Sequence, residues 1–214
     1  PNIAPALLQR TLPFLSSLAP FTYRPTVRGD LIPLADDAIV AAAQVMGVRP
    51  LLHLANLTET DSFSGELAHA LLSSPEARTR LADNLMEILR RKGYRGIDVD
   101  LESVFPEDAQ NYVRFLFLLR ERLEPMGYPL LAALAPKTSA SQQGELYQGH
   151  DYRGLGEAAD GVLLMTYEWG YAYGPPMAIA PLPQVEAVVR YAVTEIPTWK
   201  IQLGIPNYGY DWTL

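Results

Sequence analysis

The stretch Tyr94-Arg95-Gly96-Ile97-Asp98-Val99-Asp100-Leu101-Glu102 limits what this chain can fold into more than any other part of it. Its pattern has a period of two. On a strand, Ile97, Val99 and Leu101 face one side and Asp98, Asp100 and Glu102 the other. Alternate residues of a strand lie roughly 7 Å apart, so three carboxyls on one buried face cannot all ionise freely, and a proton is held among them. A strand that only fills a core gains nothing from three buried acids. The row therefore reads as a proton donor with electrostatic helpers. Two plainer readings compete with it: the solvated face of an edge strand, and an Asp-x-Asp pair offering carboxylate oxygens to a divalent cation. An EF-hand loop is excluded, because the glycine at its sixth position and its closing pattern are absent.

Around this stretch the chain alternates strand and helix patterns. Leu7, Leu8, Leu12, Leu15 and Leu18 recur at helical steps interrupted by Pro13, which predicts a broken helix from Pro5 to Leu18. Further helices are predicted from Asp36 to Met46, from a Ser73 or Ser74 cap to Gly93, from Pro106 to Gly127, and from Pro183 to Val193. Strands are expected at 21–24, 48–55, 97–102, 130–135, 161–168 and 201–208. This alternation predicts an α/β fold with a parallel sheet and helices outside it, either a barrel or a doubly wound sheet. No glycine-rich phosphate fingerprint follows any strand, which removes the usual reason to prefer the doubly wound form.

The acidic stretch resembles the Asp-x-x-Asp-x-Asp-x-Glu signature on the fourth strand of glycoside hydrolase family 18, a family of (β/α)8 TIM barrels. Arg95 stands where that signature has its first Asp, and the other three acids match. If the acidic strand is the fourth, strands 1 and 8 are expected outside the segment, since a typical barrel needs about 250 residues. Met165-Thr166-Tyr167-Glu168 is similar to the family's Met-x-Tyr-Asp, with Glu168 one methylene longer. Gly204-Ile205-Pro206-Asn207-Tyr208-Gly209 is similar to its Gly-x-Pro-x-Tyr-Gly. From Met165 to Trp212 the resemblance narrows to the cortical fragment-lytic group of bacterial spore enzymes, N-acetylglucosaminidases that usually carry LysM peptidoglycan-binding modules upstream.

The resemblance implies that Glu102 is the general acid and base and that Asp100 orients the substrate's acetamido group, and the place of Asp98 in the row lets it take up a proton from Asp100 in turn. Tyr167 would hydrogen-bond the acetamido carbonyl. No protein nucleophile is then required, because this family is a substrate-assisted exception among retaining glycosidases. Met165, Glu168, Trp169, Asn207, Tyr208 and Tyr23 are the candidate glycan contacts. Trp169, Tyr171 and Tyr173 lie in a Gly- and Pro-rich loop, where flat rings can stack on sugars or simply pack. The partner implied is peptidoglycan or a related N-acetylglucosamine glycan, in the spore cortex or coat or the bacterial cell envelope. A non-catalytic carbohydrate-binding barrel, a chitinase-like hydrolase and a metal-dependent hydrolase using Asp98 and Asp100 are the alternatives.

Composition narrows the rest. A chain of 214 residues, 49% of them hydrophobic, can bury a sizeable core and is expected to form one catalytic domain over residues 1–214. A net charge of −7 without a Lys/Arg cluster argues against a nucleic-acid partner. No apolar run reaches the roughly 18 residues that suggest a membrane span. Without cysteine there is neither disulfide nor thiolate chemistry. His53, His69 and His150 share no spacing and read as structural or surface residues, with no metal site and no cofactor called for. The sequon Asn56-Leu57-Thr58 is assigned no function. Opening at Pro1 with neither methionine nor signal peptide, the chain is expected to be a segment or processed form.

Overall fold

The computed structural model describes residues 3–212. Helix α1 (Pro5–Thr11) starts on a proline, where no amide hydrogen is needed, and Pro13 turns its continuation into a single 3₁₀ turn, Leu12–Phe14. The predicted helix therefore stops short of Leu18, and Ser17–Leu18 form strand β1. Helix α2 (Asp37–Val45) leads to β2 (Arg49–Pro50) and β3 (Leu52–Ala55). Two helices follow, α3 (Gly65–Ser73) and α4 (Pro75–Lys92), the first of them unpredicted. Ser74 decides the open cap assignment: its Oγ accepts the Ala77 amide at 3.1 Å, with Pro75 as the first helical residue. Gly93, at φ 77°, closes α4 in the left-handed conformation that glycine adopts without strain. The acidic strand β4 (Ile97–Asp100) begins four residues later.

The remaining elements are α5 (Ala109–Leu123), β5 (Leu130–Leu134), α6 (Tyr152–Ala158), β6 (Gly161–Leu164), α7 (Leu182–Glu195) and β7 (Ile201–Leu203). Strands β3 to β7 form one parallel sheet in chain order, with helices in every crossover. On the far side of β3, β1 pairs in parallel with β2, and Tyr23 makes a parallel bridge to Leu54. Segment 17–23 thus runs beside segment 49–55, and the chain forms a six-stranded arc of a (β/α) barrel. Among the described residues no pairing joins segment 17–23 to β7.

The core lies between this sheet and the helices. Leu81, Leu85 and Leu89 of α4 and Tyr112, Phe115 and Leu119 of α5 pack in one cluster with Ile97, Val99 and Leu101. The apolar half of the alternation is thereby spent on the helix layer, which leaves the three acids for the barrel's inner side. A second, polar device sits in the same layer. The carboxylate of Asp36, 1% exposed, accepts hydrogen bonds from the Tyr23 hydroxyl at 2.8 Å, the Tyr94 hydroxyl and the Lys92 ammonium. Asp36→Ala would leave Lys92 without its buried counter-charge, and a loss of about 3–5 kcal/mol in urea denaturation is expected. A loss under 1 kcal/mol would show that water reaches this cluster.

Candidate active site

The strands expected at 97–102, 130–135, 161–168 and 201–208 all end earlier than their apolar patterns suggested, while the one expected at 48–55 ends at Ala55 as predicted, and the residues left over at the carboxyl ends build the site. Strand β4 stops at Asp100 and β6 at Leu164, where 102 and 168 were expected. After β6 the backbone curls tightly, with Thr166 N–H donating to the Leu164 carbonyl and Tyr167 N–H to that of Met165. Period-two alternation is lost there. Tyr167, Glu168 and Trp169 accordingly all line one cavity with Met165 and Glu102, with a volume of about 400 Å³, together with Tyr171, Tyr173 and Tyr210. Leu146 and Tyr147, from the β5–α6 connection, complete one wall. Gly204 is what lets the Tyr167 ring in: a Cβ on it would stand 2.4 Å from Tyr167 Cε1.

The acids behave as their burial dictates. Asp100 is 7% exposed, and burial, with Glu102 and Asp98 nearby, pushes its carboxyl up to about 8. Glu102 is raised to about 7, by burial first and then by Glu168. Asp98, deeper along the strand, is raised to about 6 by burial alone. Oδ1 of Asp98 and Oδ1 of Asp100 are both buried without a hydrogen-bond partner. A row of acids that keeps protons near neutral pH can act as a general acid. Burial, aided by Asp100 and the other acids, likewise pushes the Tyr167 phenol up to about 12, so it stays a hydrogen-bond donor.

Of the three described non-glycine residues with left-handed backbones, Asp61 lies in the loop after β3, and the other two are Ser103 at φ 53° and Glu168 at φ 64°. Ser103 and Glu168 stand where a strand end turns into the cavity rim, and such strain of about 1–3 kcal/mol collects at functional sites. Glu168 is in addition held by the Tyr208 hydroxyl, which donates to its Oε1 at 3.1 Å.

Several predicted contacts are therefore brought together and others are not. Glu102, Tyr167, Met165, Glu168 and Trp169 line the cavity, and Tyr208 reaches it through Glu168. Asn207 is exposed and does not line it. Tyr23 lies elsewhere: its ring is 1% exposed within the helix-side core and its hydroxyl is committed to Asp36. Pairing with Leu54 gives it the helix-facing side of the strand, which a short aromatic run could not reveal.

The structure also brings to the site residues that had no functional role assigned from sequence. His53 is in register with Asp98, which puts both on the inner face, and its Nε2 is 3.7 Å from Asp100 Oδ2. Burial pushes its imidazole down to about 4, so it stands neutral, with Nδ1 2.7 Å from the Thr22 hydroxyl. Asn56, 0% exposed, spends both ends of its amide on the Glu102 backbone, which leaves its nitrogen no room for a glycan in the folded chain. Among the described residues no group of three or more His, Asp or Glu side chains is arranged to hold a metal ion, and no helix is long and apolar enough to cross a membrane.

With this geometry in place, comparison with known proteins is informative. The family model for glycosyl hydrolases family 18 matches residues 55–214. The cortical fragment-lytic enzyme of Bacillus subtilis (strain 168) is 42% identical over 204 residues, 94% of this chain and 47% of that enzyme. The crystal structure of the Bacillus megaterium QM B1551 spore cortex-lytic enzyme SleL superposes with a TM-score of 0.92 at 35% identity, over 100% of this chain and 49% of that one. A chitinase from Chromobacterium violaceum ATCC 12472 superposes with a TM-score of 0.90 at 27% identity, over 97% of this chain and 66% of its own. The chain spans about half the length of the two spore enzymes.

Proposed function

The chain belongs to glycosyl hydrolases family 18, and from that premise we propose that it is the catalytic barrel of a retaining, substrate-assisted N-acetylglucosaminidase of spore cortex peptidoglycan. The observation that carries the reading is the acid row: Asp100 buried behind Glu102, at a strand end that shares one cavity with Tyr167. Residues 1–214 act in this reading as one catalytic unit. Its place is the spore cortex or coat or the cell envelope of a bacterium, with LysM modules upstream as the means of holding peptidoglycan. Neutral glycan suits the cavity, whose lining contains no Lys or Arg.

The proposed chemistry runs in two steps. Glu102 gives its proton to the glycosidic oxygen, the bond from that oxygen to the anomeric carbon breaks, and the carbonyl oxygen of the substrate's own acetamido group bonds to that carbon. Tyr167 donates to the acetamido oxygen before attack, and Asp100, as carboxylate, offsets the positive charge of the oxazolinium ring. Asp98 takes up the proton that Asp100 gives away. Glu102, now carboxylate, removes a proton from water, whose oxygen reopens the ring from the side the leaving group left. Two inversions retain the anomer.

The test is a digest of purified cortex peptidoglycan read by mass spectrometry and NMR. Cleavage is expected only on the reducing side of N-acetylglucosamine, with the anomer retained, because muramic lactam has its nitrogen tied into a ring and cannot form an oxazolinium. Products ending in reducing muramic lactam, or an inverted anomer, would overturn the mechanism.

A further inference from the structure

The ladder that holds β4 ends just before its catalytic residue. Toward β3 the last registered pair is Ala55 with Asp100, and toward β5 it is Val99 with Ala132. The peptide between Leu101 and Glu102 therefore lies beyond regular strand pairing, in buried surroundings where an unpaired N–H or C=O is costly. Two side chains do what the ladder no longer does. From the β3 flank, Asn56 Oδ1 accepts the Glu102 N–H at 2.9 Å, and Asn56 Nδ2 donates to the Glu102 carbonyl at 2.8 Å. In a parallel ladder these two bonds would have come from two different residues of the neighbouring strand, and here one side chain makes both. The same Nδ2 donates to the carbonyl of Ser64, the capping residue of α3, at 2.8 Å.

From the β5 flank comes His150, 0% exposed. Its Nδ1 lies 2.9 Å from the Ala135 amide and its Nε2 3.0 Å from the Leu101 carbonyl. An amide can only donate and a carbonyl only accept, so Nδ1 is the acceptor, Nε2 carries the hydrogen, and the ring must be neutral. Burial keeps it so, pushing the imidazole down to about 4.

The geometry points to Asn56 and His150 as positioning residues: a two-sided side-chain clamp on the 101–102 peptide that fixes where the Glu102 carboxyl stands against Asp100 and Tyr167. The inference rests on the reading of Glu102 as the acid. Side chains serve here where a ladder would not. A continued ladder keeps strands about 4.8 Å apart, whereas a side chain between two backbones lets the strand ends part and open room for a sugar. The left-handed Ser103 that follows Glu102 fits the same account, because such a conformation persists only where its surroundings over-determine it.

The experiment compares the intact chain with three variants, Asn56→Ser, His150→Asn and His150→Gln, each checked for folding by circular dichroism and melting. The histidine pair separates two roles. Gln places an amide donor near where Nε2 stood and can still hold Leu101, while Asn places an acceptor near where Nδ1 stood and holds only Ala135. For Asn56→Ser and His150→Asn, kcat should fall by about 10²-fold, the cost of misplacing a catalytic group by about 1 Å, with KM within about threefold of the parent. His150→Gln should stay close to the parent in kcat. In samples labelled with ¹³C at the glutamate carboxyls, the Glu102 titration should move down in the two impaired variants, and the Glu102 amide should exchange faster in Asn56→Ser. Parent-like kcat and titration in folded variants, or His150→Asn outperforming His150→Gln, would overturn the clamp. Should Asn56→Ser not fold, the histidine pair decides. If the parent chain turns over no N-acetylglucosamine glycan, the titration and exchange still decide the clamp, and the failure belongs to the assignment of the site.

Discussion

Glu102→Gln is expected to lower kcat on N-acetylglucosamine glycans by at least about 10³-fold while leaving glycan binding within about threefold of the parent. General acid–base help is worth about 10² to 10⁴ in rate, and here one residue serves both steps, first as acid and then as base. The amide has the shape of the carboxyl it replaces, and the clamp from Asn56 grips the backbone of residue 102, so the substitution removes the proton and leaves the position. The pH dependence follows from the same group. With the carboxyl raised to about 7 by burial and by Glu168, the acid form is lost as the pH rises through 7, and the parent's activity should decline on that side. Steady-state kinetics with calorimetric titration of an unhydrolysed oligosaccharide measures both quantities. A variant within tenfold of the parent in kcat would remove Glu102 from its role.

The alternation at 97–102 made the site legible before any coordinates, because three acids on a strand are too costly to be incidental and the apolar partners Ile97, Val99 and Leu101 say which side is core. Helices α2, α4, α5 and α7 were legible for a related reason: each carries an apolar stripe, and Ser74, Pro75, Gly93 and Gly127 mark ends. Helix α6, of seven residues, carries a stripe too brief to register, whereas α3 is as long as α2, and its stripe of Ala68, Leu71 and Leu72 was there to be read but went unassigned. Strand ends were overrun because an apolar pattern continues into residues such as Met165 that turn into the cavity once the pairing stops. The assignment of Tyr23 failed because facing depends on register, which the pairing with Leu54 settles and the sequence does not. The positioning role of Asn56 and His150 was not legible for a deeper reason. Their role is to satisfy the backbone of residues 46 and 49 positions away in the chain, and only the fold brings those backbones to them.

Asp100→Asn is expected to abolish most turnover and at the same time to stabilise the fold at alkaline pH. The loss of activity, about 10² in kcat, follows from replacing a carboxylate that faces a cationic ring by a neutral amide, and a shifted limb in the pH profile should accompany it. The gain in stability follows from linkage. An unfolded aspartate ionises near 3.9, whereas in the folded chain burial, Glu102 and Asp98 hold the Asp100 proton up to about 8. Between those two values the unfolded state sheds a proton that the folded state keeps. Asp100 therefore costs nothing below about pH 4, lowers stability progressively as the pH rises, and exacts its full penalty above 8. His53 and His150 have the opposite sign, since both are pushed down to about 4 and favour the folded chain only as the pH climbs above that value toward 6.5. They remain in the variant, so the difference between variant and parent isolates Asp100 among the titratable groups around it, which are Asp98, Glu102, His53, Tyr112 and Tyr167. Urea denaturation at a series of pH values should show a difference that is small at pH 4 and widens toward pH 8, by at most about 1.4 kcal/mol for each pH unit. A difference that stays flat across that range would show that Asp100 does not hold its proton in the folded chain, and with it the shared proton of the acid row would fall.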